Sequence, residues 1–166
     1  MGRQASHVSD GSFMDRRPER LVIEGYRNWM AGYQTGSIEP WEHTWSFYTS
    51  ELGMVDGRRA VADLSAFVRT LRGCADCPLR IFPTGADRLC REECLAVGLI
   101  AAAQHGDVDL CGCCIEALSG CARRVEIGAA ADRYADTLME LGQALHPVAP
   151  GAIQEILARG DIPRIH

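Results

Sequence analysis

The residues best suited to chemistry in this chain are its eight cysteines, and all of them fall between Cys74 and Cys121. The first group reads Cys74-x2-Cys77, then twelve residues, then Cys90-x3-Cys94. Two thiolates from a tight turn and two from the start of a helix can make a tetrahedral metal site. Cys90 and Cys94 are four apart and project from one helical face, and a helix N-terminus favours the thiolate form through its dipole. Cys74, Cys77, Cys90 and Cys94 are therefore the expected metal ligands. Zinc is the first choice of ion and an iron–sulfur cluster the second, while Cu(I) also suits thiolates inside a helical bundle. A plainer reading stands beside this one. Cys90, Cys94, Val97 and Ala101 share one stripe, and free cysteine is among the most buried residue types, so these thiols can serve as packing.

The second group is Cys111, Cys113, Cys114 and Cys121, of which Cys111, Cys114 and Cys121 follow core-seam spacing with Leu118. Packing is the leading reading here. Two functional readings compete with it. One is a thiol–disulfide redox couple of Cys111 and Cys114 at a helix start. The other is a second metal site, in which His105 joins Cys111 and Cys114, or Cys121 joins the first group. If the helices on either side of residues 107–108 form an antiparallel hairpin, Cys94 and Cys111 are separated by roughly 16 Å along the axis. One mononuclear site cannot use all eight thiols. Cysteine-lined helical bundles occur among copper-storage proteins, and the chain is similar to them in that general sense only, because it lacks their repeated cysteine pairs. Cys77-Pro78 matches the dipeptide of haem-sensing segments, a match of two residues.

The elements that must position these thiols are helical. Asp15 and Pro18 open a helix with Val22, Tyr26, Trp29, Met30 and Tyr33 on one stripe, ending at Gly36. A second helix runs from Ser37 to Gly53 with Trp41, Trp45, Tyr48 and Leu52 on one face. A third, capped by Asp56, carries Ala60, Val61, Leu64, Phe67, Val68 and Leu71 and stops at Gly73. Thr84 and Asp87 have capping-box-like spacing, which predicts a fourth helix over about 85–105. From Leu95 to Ala103 that helix has no charge on any face, so it is expected to be the buried central element. Asp109 caps a fifth helix over 110–118. A sixth spans about 123–145 on the seam Ile127, Ala131, Tyr134, Leu138, Leu141 and Leu145, and a short one lies at 150–157. The fold class expected is all-α, a compact bundle of about six or seven helices. Residues 1–14 form an N-terminal arm, 15–160 a single domain and 161–166 a tail.

Composition narrows the function further. The formal charge is −5, the pI about 5.5 and the basic residues are scattered in short groups such as Arg16-Arg17 and Arg123-Arg124, so nucleic acid is not the expected partner. The longest apolar stretch, 94–103, is about half of what a membrane span needs. Residues 1–17 are polar and lack an export segment, so a cytoplasmic protein with reduced thiols is expected. Glu39, Glu42 and His43 do not complete a di-iron set, and the aromatics Trp29, Trp41, Trp45, Phe47 and Tyr48 read as core. No phosphate loop, dinucleotide fingerprint or nucleophile elbow is present in the sequence. The expected function is a cysteine-rich metal-binding protein in an accessory or regulatory role with a protein partner. The alternatives are the redox protein and a non-catalytic helical adaptor whose cysteines are core packing.

Overall fold

The computed structural model describes residues 14–75, 79–120, 123–149 and 151–159. Among them are seven helices and no strand: α1 (Arg17–Thr35), α2 (Glu39–Leu52), α3 (Met54–Cys74), α4 (Arg91–His105), α5 (Val108–Ser119), α6 (Arg124–Glu140) and α7 (Ala152–Arg159). Helix α1 packs on α2, α3 and α4; α4 packs in turn on α5, α6 and α7; and α3 lies along α2 and α6. The all-α bundle expected from periodicity is the observed architecture. The proposed arm at 1–14 and tail at 161–166 fall almost wholly outside the described residues.

Helix starts and stops follow local chemistry. Pro18 stands in the first turn of α1, where its missing N–H costs nothing, and Gly36 closes the helix in the left-handed region at φ 68°. Gly53 is the hinge between α2 and α3, and the hairpin it makes is tight. A Cβ on Gly57 would lie 2.7 Å from the Thr49 Cα and 2.8 Å from its amide nitrogen. Asp56 therefore stands within the first turn of α3, and the cap position is Gly53. Asp107, rather than Asp109, caps α5 by accepting from the Leu110 N–H at 3.1 Å. Helix α6 stops at Glu140, before Gly142 at φ 75°, yet Leu145 remains on the seam from the following irregular segment at 2% exposure.

The apolar run of α4 is buried from Leu95 to Ala102, as its lack of charge requires. A second central element emerges beside it. All ten residues from Leu21 to Met30 on α1 are buried, including Glu24, Arg27 and Asn28. Three charged or amide side chains in that run make it read as a half-exposed helix. Its polar face is turned inward, against the segment that joins α3 to α4. The lower end of α1 is fixed by Tyr48, whose hydroxyl donates to the Leu21 carbonyl at 2.6 Å and is also 2.6 Å from the Tyr134 hydroxyl. Burial, then the neighbouring Tyr134, pushes the Tyr48 phenol well above its ordinary value, so the pair is neutral.

Two glycine substitutions separate close approach from helix propensity. Gly57→Ala is expected to destabilise the protein by about 1–3 kcal/mol, because backbone rather than a flexible side chain occupies the space. Gly112→Ala, inside α5 with nothing within 4 Å of the added methyl, is expected to stabilise by up to about 1 kcal/mol. Urea unfolding of both variants checks the pair, and equal effects of one sign would contradict the tight α2–α3 approach.

Candidate functional site

The expected helix from 85 onward begins only at Arg91, and the reason is charge. The Arg27 guanidinium is fully buried at the centre of α1. Its Nε donates to Glu93 Oε1 at 2.7 Å and its Nη2 to Glu93 Oε2 at 3.1 Å, a bidentate pair with both side chains at 0% exposure. The remaining donors reach the crossover: Nη2 to the Arg88 carbonyl at 2.7 Å and Nη1 to the Ala86 carbonyl at 2.9 Å. Nη1 also lies 3.4 Å from Glu24 Oε1, which accepts from the Gly85 N–H at 3.3 Å. With the Ala86 and Arg88 carbonyls turned toward the guanidinium, the chain before Arg91 runs in a non-helical conformation. Thr84, expected as a helix cap, instead donates its hydroxyl to Asn28 Oδ1 at 3.0 Å.

Glu93 carries the constraint onward to the thiols. Its Oε1 accepts from the Phe82 N–H at 2.8 Å and its Oε2 from the Cys90 N–H at 3.0 Å. Cys90 is thus the N-cap of α4, in a reciprocal capping box with Glu93 at the third helical position. The Cys90 Sγ–H donates to the Arg80 carbonyl at 3.3 Å. Burial above all, with Glu93 and Glu92 adding charge, pushes the Cys90 thiol up to about 12, although the Glu93 N–H works the other way. The helix dipole alone would favour the thiolate; desolvation wins. Directly beneath, the Tyr26 phenol is 1% exposed and also raised, first by burial and then by Cys90, Glu92 and Glu93.

The other expected ligands take the following places. Cys74 is the last residue of α3 and is buried at 7% exposure, and Cys94 is half-buried one turn into α4. Helix α1 packs against both helices that carry them. Cys77 and Cys121 lie outside the described residues. Among the described residues, no three His, Cys, Asp or Glu side chains are grouped to hold a metal ion. The His105 imidazole Nε2 is 2.8 Å from the Leu145 carbonyl.

Cys114 has no exposed surface and faces Gly98, whose ideal Cβ would lie 3.6 Å from its sulfur. That contact places the α4–α5 hairpin within one helical turn of the expected register. Burial, then Cys111, Cys113 and Asp107, pushes the Cys114 thiol up to about 12. Cys111 is half-buried and borders a small cavity of about 170 Å³ between α4, α5 and α6, lined also by Leu99, Val108, Ala131 and Asp132. Its thiol is raised as well, by burial and then by Asp132 and Asp107. Both shifts run against the depressed pKa that activates a redox couple.

Compared with known proteins, the chain matches no family model, no curated protein and no solved structure.

The burial of Cys114 sets a pH dependence. Its ordinary value is 9.0 and its folded value about 12, so folding holds the proton that the unfolded chain releases. The stability this neutral thiol contributes is complete below pH 9 and is lost as pH rises from about 9 to about 12. Metal-free wild type is therefore expected to lose unfolding free energy with rising pH faster than Cys114→Ala across that window. Parallel curves would show that Cys114 ionises freely in the folded state.

Proposed function

We propose that the chain is a cysteine-rich helical metal-binding protein in an accessory or regulatory role. Cys74, Cys77, Cys90 and Cys94 are its ligands, with zinc the first ion to test and an iron–sulfur cluster the second. One observation supports this more than any other. A wholly buried arginine–glutamate pair fixes the backbone of Cys90 and the segment before it, with Cys94 one helical turn further on. Replacing a buried ion pair by apolar residues is often neutral or stabilising, so such a pair is better read as fixing a particular arrangement than as adding stability. What this pair arranges is the stretch of chain that ends in two thiols.

The identity of the cap residue points the same way. Ser, Thr, Asp and Asn are the effective N-caps, and a thiol is a weak donor and acceptor. Serine at position 90 would cap α4 at least as well. A thiolate binds a soft or borderline cation and serine does not. Loading the site replaces the Cys90 proton by the cation, so affinity falls with falling pH and protons are released on binding.

The packing alternative gains from Cys114, which is wholly buried. That reading fits Cys114 and leaves the first group open.

Two measurements test the proposal. Elemental analysis and a visible spectrum of protein purified without oxygen are expected to give bound metal: zinc without colour, or iron with a brown chromophore. Finding no bound metal would overturn the metal reading and leave the packing and redox alternatives. Cys90→Ser is expected to abolish metal binding while leaving the stability of the metal-free protein within about 1 kcal/mol of wild type. Cys113→Ser is expected to leave metal content unchanged. Metal content insensitive to both substitutions would remove Cys90 from the ligand set.

A further inference from the structure

The cavity beside Cys111 has apolar walls and a negative mouth. Leu99, Ala102 and Ala103 of α4 and Ala131 of α6 line it, and Val108, 80% exposed, stands at its opening. At about 170 Å³ it is close to the roughly 150 Å³ that accepts one benzene, and below the roughly 300 Å³ at which cofactor-sized pockets begin. Its capacity is one side chain.

Three sources of negative potential meet at this space. Asp132 lines the cavity from α6, and Asp107 caps α5 between the lining residues Gly106 and Val108. Both carboxylates act on the Cys111 thiol, which is raised first by burial, then by Asp132 and by Asp107. The third source is the C-terminus of α4, whose last turn gives Ala102 and Ala103 to the wall before Gly106 ends the helix. Basic groups nearby are engaged or turned away. Helix α5 carries none, Arg124 lies 2.9 Å from Glu116, Arg123 lies 4.0 Å from Glu126, and the His105 Nε2 is held at the Leu145 carbonyl. Arg133 follows Asp132 in sequence but is about 100° further round α6. Neither Asp107 nor Asp132 forms an ion pair with a described residue.

We infer that this cavity is a docking site for one lysine side chain of a protein partner, its stem against α4 and Ala131 and its ammonium at Asp132 and the end of α4. A lysine lays its methylenes along apolar surface while its head keeps to water or to a charge, and the cavity supplies both surroundings. An uncharged apolar side chain gains nothing from the carboxylates. An arginine fork asks for one carboxylate aligned with two of its nitrogens, whereas a compact ammonium suits separate negative groups. The formal charge of −5 draws a basic partner to the chain as a whole. None of Cys74, Cys90 and Cys94 lines the cavity, so the inference stands or falls apart from the metal reading.

The experiment follows amide chemical shifts of the full chain at low ionic strength, where exposed charge pairs are least screened. n-Butylammonium chloride, which carries the lysine side chain alone, is titrated beside 1-butanol and sodium chloride. Saturable shifts at Ala103, Cys111 and Asp132 are expected with butylammonium, and binding about threefold weaker or less with butanol. Asp132→Asn is expected to weaken butylammonium binding about threefold. Asp136→Asn removes the same charge one turn along α6, outside the cavity, and is expected to leave binding unchanged. Both residues are exposed, so both variants are expected to fold. A peptide with one lysine flanked by leucines, and its Nε-acetylated twin, then separate a partner's side chain from a free amine. Shifts at the same amides with the lysine peptide, lost on acetylation, uphold the docking site. No saturable binding of butylammonium, equal binding of butanol, or equal effects of the two Asp→Asn substitutions would each overturn it. Butylammonium binding with no response to the lysine peptide would overturn it too, because that is the behaviour of a site for free amines.

Discussion

A guanidinium with no access to water sits at the middle of α1, and much of the bundle is arranged around satisfying it. An arginine cannot give up its proton, so its burial admits one solution, which is to surround it with acceptors. Glu93 and Glu24 supply charge, and the Ala86 and Arg88 carbonyls supply the rest. The helix that carries Glu93 must therefore lie against α1, and the chain before it must run past the guanidinium in a non-helical conformation. Leu21–Met30 and Leu95–Ala102 are buried on the two helices this pair joins, α1 packing also on α2 and α4 on α5 and α6. Helices α3 and α6 then close around α1 and α4 from the far side.

This explains what was legible in the sequence and what was not. Apolar spacing gave away the helices, because α3 and α6 bury their stripes and expose their charges. The uncharged run of α4 announced its burial for the same reason. Helix α1 did not, since Glu24, Arg27 and Asn28 break the apolar run and imply a solvated face. Only the pairing of Arg27 with Glu93, 66 residues away, turns that face inward, and local periodicity carries no trace of such a partner. The late start of α4 has the same origin. Thr84 and Asp87 form a plausible cap by spacing alone, and the long-range acceptors of Arg27 overrule it. One sequence signal was available: Glu93 stands three residues after Cys90, at capping-box distance. It passes unnoticed because cysteine is not an expected cap.

The cysteines divide along the same line. Cys114 lies on a seam that the spacing marked, opposite a glycine, where a small apolar side chain fills the gap left by the missing Cβ. Its sulfur fills the space that an alanine or valine side chain would fill with a slightly different volume. Cys90 is buried almost as well, but on a polar junction rather than a seam. Burial alone therefore does not separate the two cysteines, whereas their hydrogen-bond partners do.

That distinction also bears on how a cation would be received. In a small metal-dependent fold, the ion supplies the order and the ligands follow it. Here the frame of Cys90 is ordered by a charge cluster that belongs to the core and is complete in itself. The sulfur is a neutral thiol raised by burial, so entry of a cation has to expel a proton from a desolvated position. At a loaded site the two effects would oppose one another: the fixed frame of Cys90 would lower the entropic cost of ordering that ligand, and the raised thiol would weaken binding at neutral pH. A cation meets the second cost through its own charge, which favours the thiolate at the short range where desolvation has left the field unscreened. An ion received at Cys90 would therefore have to bind sulfur strongly enough to displace that proton, a demand that zinc, iron or Cu(I) meets and the hard cations calcium and magnesium do not.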